Sequence, residues 1–282
     1  ESGSGKSVTF LGIMGLLPPS ATVSGSAMLG DIDLIGSSER ERRRARGKRI
    51  AMIFQDPLSA LNPVHRVGEQ IVEMIRSHQD TTHAAAQQRA IELLDLVGIP
   101  QPADRARQFP HQFSGGMRQR VMIAMAIANE PEVLIADEPT TALDVTVQAQ
   151  ILDVLQRVQR ELGAAVVLIT HDLGVVARVA DRVQAMYAGR VVERGEVHAL
   201  YARPSHPYTQ GLMRSLPTVG RDRLVPIPGA PPNMLTPPSG CAFRVRCPHA
   251  IERCADEMPD LQPVDGLMSA CFRAVELRGT PT

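Results

Sequence analysis

An α/β fold with a parallel sheet at its core is predicted by three observations. Helical periodicity alternates with short apolar strands, a Gly/Ser loop opens the first helix, and one apolar strand ends in paired carboxylates. Alternation of this kind argues for a parallel sheet, because each crossover helix must cover a face of it. The chain has 282 residues, 44% of them hydrophobic, which suffices for one large domain and a smaller appendage.

The elements follow in order. Residues 7–17 read as a helix stopped by Pro18 and Pro19, and alternation over 22–35 predicts paired strands turning at Gly30 and Gly36. A charged helix comes next, and 49–55 is a short apolar strand. Beyond Pro57 the period becomes helical over 67–78 and 83–97, giving a helical insert. A helix over 121–129 precedes a strand at 133–136, and an amphipathic helix over 145–162 leads to a buried strand at 165–169. After Gly195, prolines at 204, 207, 217, 226, 228, 231, 232, 237 and 238 mark a linker and a small loop-rich tail. Pro207 suits the first position of a helix, oriented by 206–209. No internal repeat is visible.

Charge and hydropathy narrow the function classes. The 30 basic and 30 acidic side chains cancel, so no net field draws the chain to nucleic acid or anionic lipid. The stretch 39–49 holds seven Lys or Arg but no aromatic residue for base stacking, so it reads as a solvated helix face. The longest apolar run, around 121–128, falls well short of the roughly 18 to 20 residues that cross a bilayer. No secretory leader pattern opens the chain, and all four cysteines lie in its last sixth, which points to a reducing cytoplasm. The chain opens on Glu1, without the apolar strand that should feed the first loop, so a fragment lacking its N-terminal strands is expected.

Ser2, Gly3, Ser4, Gly5, Lys6 and Ser7 form the end of a G-x-x-x-x-G-K-[ST] loop that lacks only its first glycine. Backbone N–H groups and a helix N-terminus cradle phosphate oxygens in such a loop. Lys6 is placed to reach the β- and γ-phosphates, and the Ser7 hydroxyl to bind Mg²⁺. The apolar strand Val133-Leu134-Ile135-Ala136 runs into Asp137 and Glu138. That order puts one carboxylate by the metal and the other beside the attacking water, so Asp137 is the metal-side residue and Glu138 the candidate base.

Phe113-Ser114-Gly115-Gly116-Met117 resembles the signature loop LSGGQ of the ATP-binding-cassette (ABC) ATPases, with Phe and Met at the first and last positions as in peptide-importer subunits. The family's other elements stand in order: Gln55 in Phe54-Gln55-Asp56-Pro57, Thr141-Ala142-Leu143-Asp144 after the carboxylates, and His171 after the strand that ends at Thr170. The resemblance implies a P-loop NTPase cassette with a parallel-sheet core, an antiparallel β subdomain and a helical subdomain at about 58–128, the ATPase domain covering 1–200. It implies that Gln55 contacts Mg²⁺ and the water, that Asp144 couples two sites, and that His171 contacts the γ-phosphate. Ser114, Gly115 and Gly116 would touch ATP held by a second ABC ATPase subunit, usually a paralogue, so that two cassettes sandwich two nucleotides. Two transmembrane permease subunits and an extracytoplasmic solute-binding protein complete such an importer, with this chain peripheral on the cytoplasmic face of a bacterial membrane.

Cys241, Cys247, Cys254 and Cys271 stand as C-x₅-C-x₆-C-x₁₆-C in a segment, 201–282, too small and proline-rich to build much core of its own. Four thiolates suit a [4Fe–4S] cluster or Zn²⁺, and unliganded thiols are the third reading. By resemblance 201–282 is the C-terminal extension of peptide-importer ATPases, in which the cysteines are associated with an iron–sulfur cluster. The implied function is ATP hydrolysis energising import of oligopeptides, dipeptides or nickel, with no nucleic acid as partner. Two alternatives share the motifs. One is a soluble ABC ATPase acting on nucleic acid or ribosomes, which would usually carry tandem cassettes or a large DNA-binding insertion. The other is a catalytically incompetent scaffold, the first loop glycine and the adenine-stacking aromatic lying before Glu1.

Overall fold

The computed structural model describes residues 3–141, 143–216 and 226–278. The chain divides into two compact units, Ser7–Thr170 and a second formed by Glu1–Lys6 with His171–Thr282.

In the first unit α1 (Lys6–Ile13) ends short of the predicted 17, because Gly15 turns into the left-handed region (φ +65). The hairpin of β1 (Met28–Leu29) and β2 (Ile32–Asp33) does turn at Gly30. It is shorter than the alternation suggested, since residues 20–26 are exposed and, among the described residues, no strand pairs with them. Asp33 pins its base by accepting N–H bonds from Ala27 (2.9 Å) and Ile35 (3.2 Å). The charged helix α2 (Glu39–Ala45) starts at a capping box between Ser38 and Glu41.

β3 (Ile50–Ile53) leads through α3 (Pro57–Ala60), α4 (Val67–Arg76), α5 (His83–Leu96), α6 (Pro102–Arg105) and α7 (Gly115–Ala126) to β4 (Val133–Asp137), and α8 (Val145–Leu162) leads to β5 (Ala165–Ile169). The three strands form a parallel sheet in the order β3-β4-β5. Successive residues feed opposite cores: Ala51, Ile53, Leu134 and Ala136 join the large cluster with α4, α5, α7 and α8, whereas Ile50, Met52 and Ile135 face a smaller one with Met14 and Leu34. Burial on both faces is why these strands read as continuous apolar runs. All three strands point the same way, so the residues after Ile53, Asp137 and Ile169 emerge on one edge of the sheet, where parallel α/β sheets bind ligands.

The second unit holds α9 (Leu173–Val179), β6 (Arg182–Tyr187), β7 (Arg190–Glu196), α10 (Val197–Ala202), α11 (Pro207–Arg214), α12 (Arg253–Asp256), β8 (Gln262–Val264), β9 (Leu267–Ser269) and α13 (Ala274–Arg278). Its antiparallel sheet runs β6-β7-β9-β8. The loop-rich tail thus supplies two short strands to a sheet begun upstream, and Phe243 from the tail packs with Tyr187 and Tyr208 at centroid distances of 5.2 and 5.6 Å. His206 caps α11 as expected, its Nδ1 accepting the Tyr208 N–H (3.1 Å) with Pro207 in the first turn. Burial pushes this imidazole down to about 4. Beside it Glu193 is fully buried, Oε1 accepting from Ser205 N–H (2.6 Å), Ser205 Oγ (2.5 Å) and His206 N–H (3.3 Å).

Candidate nucleotide site

Ser7, in the first turn of α1, donates through its hydroxyl to Asp137 Oδ1 at 2.8 Å. Asp137 closes β4 and is only 6% exposed, so a carboxylate and a hydroxyl oxygen meet at the mouth of the sheet. Both are hard oxygen donors of the kind that hold Mg²⁺. The next residue, Glu138, continues the ladder by giving its N–H to Ile169 O (2.9 Å), yet holds a left-handed backbone (φ +45). For a non-glycine residue that conformation costs about 1–3 kcal/mol and is concentrated at functional positions. Its Oε2 accepts from Gln55 Nε2 (3.1 Å) and from Thr141 Oγ1 (2.9 Å). Gln55 and Glu138 lie opposite one another if the Ile53↔Ala136 register is carried two residues onward, which explains why two residues so distant in sequence meet.

A second grouping in the same unit involves the signature loop. Ser114 caps α7 by accepting the Met117 N–H (3.3 Å), and the helix begins there, before the stretch whose periodicity announced it. Asp144 caps α8, its Oδ1 accepting N–H bonds from Thr146 and Val147, each at 3.0 Å. The two helix starts touch: a Cβ on Gly116 would meet Val147 Cγ1 at 2.5 Å, and one on Gly115 would meet Leu143 at 3.8 Å. Gly116 is therefore required by packing as well as by any anion contact.

The remaining motif residues belong to the second unit. Gly3 and Gly5 hold positive φ (+77 and +84), and the Ser4 carbonyl accepts the Gly189 N–H at 3.2 Å. Lys6 opens α1, and His171 stands in the turn before α9, whose cap is Asp172. Ser2 and Ala142 lie outside the described residues.

The four cysteines form no disulfide. Burial raises the Cys241 and Cys247 thiols, and raises Cys271 to about 11, with the charge of Cys254 a smaller cause in the same direction for each. The backbone brings two of them together, the Cys241 N–H donating to Cys254 O at 2.8 Å. Among the described residues, however, no three His, Cys, Asp or Glu side chains converge as a metal-holding group.

The family described as "ABC transporter" matches residues 1–141, and the "Oligopeptide/dipeptide transporter, C-terminal region" matches 192–254. Over 266 residues, 93% of its length and 74% of the relative's, the chain is 52% identical to the oligopeptide transport ATP-binding protein OppD of Bacillus subtilis. The chain belongs to the ATP-binding subunits of peptide ABC transporters. This ABC subunit is also 51% identical to the dipeptide transport ATP-binding protein DppD of Escherichia coli, over its whole length and 88% of the relative's. Among solved structures it resembles a dimeric ATP-binding cassette in a post-hydrolysis state bound to ADP and Pi, with a TM-score of 0.61 and 29% identity over 70% of this chain and 82% of that one. The ABC cassette fold expected from the motifs is thus present. Two site features of the ABC subunit escaped the sequence reading: the Thr141 hydroxyl on Glu138, and Val147 wedged against Gly116.

Proposed function

We propose that this subunit binds and hydrolyses ATP to drive peptide import, with Glu138 as the general base. The observation that carries this reading is the Ser7–Asp137 hydrogen bond with Glu138, fixed in a strained backbone, as the very next residue. Ser7, Asp137 and Gln55 fit Mg²⁺ by their oxygen chemistry, and the ion would supply charge neutralisation at the phosphates. Gly3, Ser4, Gly5 and Lys6, with Ser2, are assigned to the phosphates. Glu138 orients the attacking water and takes its proton, a role worth about 10²–10⁴-fold in rate. His171 is assigned to the γ-phosphate.

Ser114, Gly115, Gly116 and Asp144 are assigned to a nucleotide held by a second cassette, and that partner would be a paralogue or an identical chain. A groove of about 510 Å³ lined by Met14, Phe54, Met74, Met122 and Met125 is assigned to a helix from a transmembrane subunit. Methionine surfaces adapt to a helix laid in a groove, and Phe54 directly precedes Gln55, so docking would reach the nucleotide site through one peptide bond. Among the described residues no helix is long and apolar enough to cross a membrane, so attachment is peripheral in this reading, with a solute-binding protein delivering peptide from the other side.

The cysteines are assigned to a metal. Four cysteine thiolates are the donor set of a [4Fe–4S] cluster and of a structural Zn²⁺ site, and that donor chemistry is what supports the assignment.

The test uses the complete importer in lipid vesicles, with ATP hydrolysis and labelled-peptide uptake measured together. Glu138→Gln should keep ATP binding and lower turnover by about 10²–10⁴-fold. Unchanged turnover would remove Glu138 from its role, and hydrolysis without peptide uptake would overturn the transport reading.

A further inference from the structure

One neighbour of Glu138, Thr141, holds its carboxylate without belonging to the metal or phosphate contacts. Thr141 is tied to Glu138 twice: its backbone N–H donates to Glu138 O at 3.1 Å, and its hydroxyl donates to Glu138 Oε2 at 2.9 Å. The first bond closes a turn over the four residues from Glu138 to Thr141. The second returns the side chain of the turn's last residue onto the side chain of its first. A glutamate on three rotatable torsions would otherwise lose direction easily, since such a chain carries much rotamer freedom.

Oε2 also accepts from Gln55 Nε2, at 3.1 Å. The two donors differ in where they are anchored. Gln55 belongs to the loop after β3, which also contributes Phe54 to the methionine-lined groove, so its amide shifts whenever that loop does. Thr141 sits on the same turn as Glu138 and moves with it.

We propose that Thr141 is a positioning residue for Glu138, the donor that keeps the carboxylate aimed when the Gln55 contact is exchanged during the cycle. The proposal rests on the reading of Glu138 as base. In the step it serves, the water oxygen bonds to the γ-phosphorus and the β–γ bridging P–O bond breaks, its electron pair leaving on ADP. The water proton goes to the Glu138 carboxylate and from there to the released phosphate. Thr141 touches none of the reacting atoms. It holds the plane of the carboxylate that receives the proton, and a small misalignment of a catalytic group costs up to about 10²-fold in rate.

The experiment compares four variants of the complete importer: Thr141→Ala, Thr141→Ser, Glu138→Gln, and Thr141→Ala with Glu138→Gln. In Thr141→Ala, kcat for ATP should fall about 10- to 100-fold, with KM and the affinity for a non-hydrolysable ATP analogue held within about twofold. Serine keeps the hydroxyl, so Thr141→Ser should restore kcat to within a few-fold of the parent. The double variant should be no slower than Glu138→Gln alone, because a positioning residue has nothing left to position. A parent-like kcat in Thr141→Ala, a parallel loss of analogue affinity, failure of serine to rescue, or a further loss in the double variant would each overturn the proposal. Normal turnover by Glu138→Gln would instead overturn the reading of Glu138 as the base.

Discussion

Ser7 and Asp137 are 130 residues apart in sequence and joined by a 2.8 Å hydrogen bond from hydroxyl to carboxylate. The contact unites the start of α1 with the end of β4, so a helix N-terminus and a strand C-terminus present oxygen atoms at one place. Replacing Asp137 by Asn keeps the shape and removes the charge. Asp137→Asn is expected to weaken ATP binding in the presence of Mg²⁺ by about 10- to 100-fold, while binding measured in EDTA changes little. Equal losses in both titrations would mean that Asp137 serves the fold and not the ion.

Gly116 and Val147 lock the starts of α7 and α8 together. A methyl group at Gly116 has only 2.5 Å to Val147 Cγ1, and overpacking of this kind costs about 1–3 kcal/mol. Gly116→Ala should lower the thermal midpoint, and Val147→Ala placed in the same chain should return most of the loss. Two additive destabilisations in that double-mutant cycle would show the pair to be uncoupled.

His206 gives the second unit an acid-sensitive joint. Burial holds its folded value at about 4 against an ordinary 6.5, so between these limits the unfolded chain binds more protons than the folded one. Stability should therefore be fully present above pH 6.5, decline as pH drops toward 4, and level off below. The total loss from this group is on the order of 3 kcal/mol. Urea titrations from pH 7.5 to 4 on the parent and His206→Gln would reveal it. If the variant shows the same slope over that window, the acid sensitivity belongs to other groups.

The cysteines make a compositional forecast. Protein purified without oxygen should carry iron and a broad visible absorption if a [4Fe–4S] cluster is held, or zinc and no colour. Chelation or loss of the metal should lower the thermal midpoint of the second unit, because the half-buried Cys241, Cys247 and Cys271 would then lose the bonds that tie their segment together. Protein as stable and as colourless with neither metal bound would leave the thiols unliganded.

Legibility followed physical cause. The helix at 145–162 and the strand at 165–169 agree with their predicted limits because Asp144 caps one end and Gly163 (φ +65) stops the other. The hairpin and the first helix were overextended because periodicity continues past the residues that are actually paired or hydrogen-bonded. Strands β8 and β9 are three residues each, one holding Pro263, too short for a period of two to register. Ser7, Asp137, Glu138 and Gln55 stand out in the sequence by the fixed order of their motifs, and the structure pairs Ser7 with Asp137 and Gln55 with Glu138. The meeting of Gln55 and Thr141 at Oε2 of Glu138 is not legible in the sequence, since it depends on the register between β3 and β4 and on the turn that the positive φ of Glu138 begins. Nothing in 190–196 marks Glu193 as buried. That placement comes from Ser205 and the cap of α11 folding over it.

β7 has β6 on one side and β9 on the other. A gene shortened after α11 would strip β9 away and leave Glu193 and Arg194 with open main-chain hydrogen-bonding groups along a bare flank. Such flanks recruit strands from other molecules and seed aggregation. The cysteine-bearing segment therefore acts as a lid seam for the sheet it completes, and a shortened protein would be expected to fail first by clumping, before any defect in nucleotide chemistry could be seen.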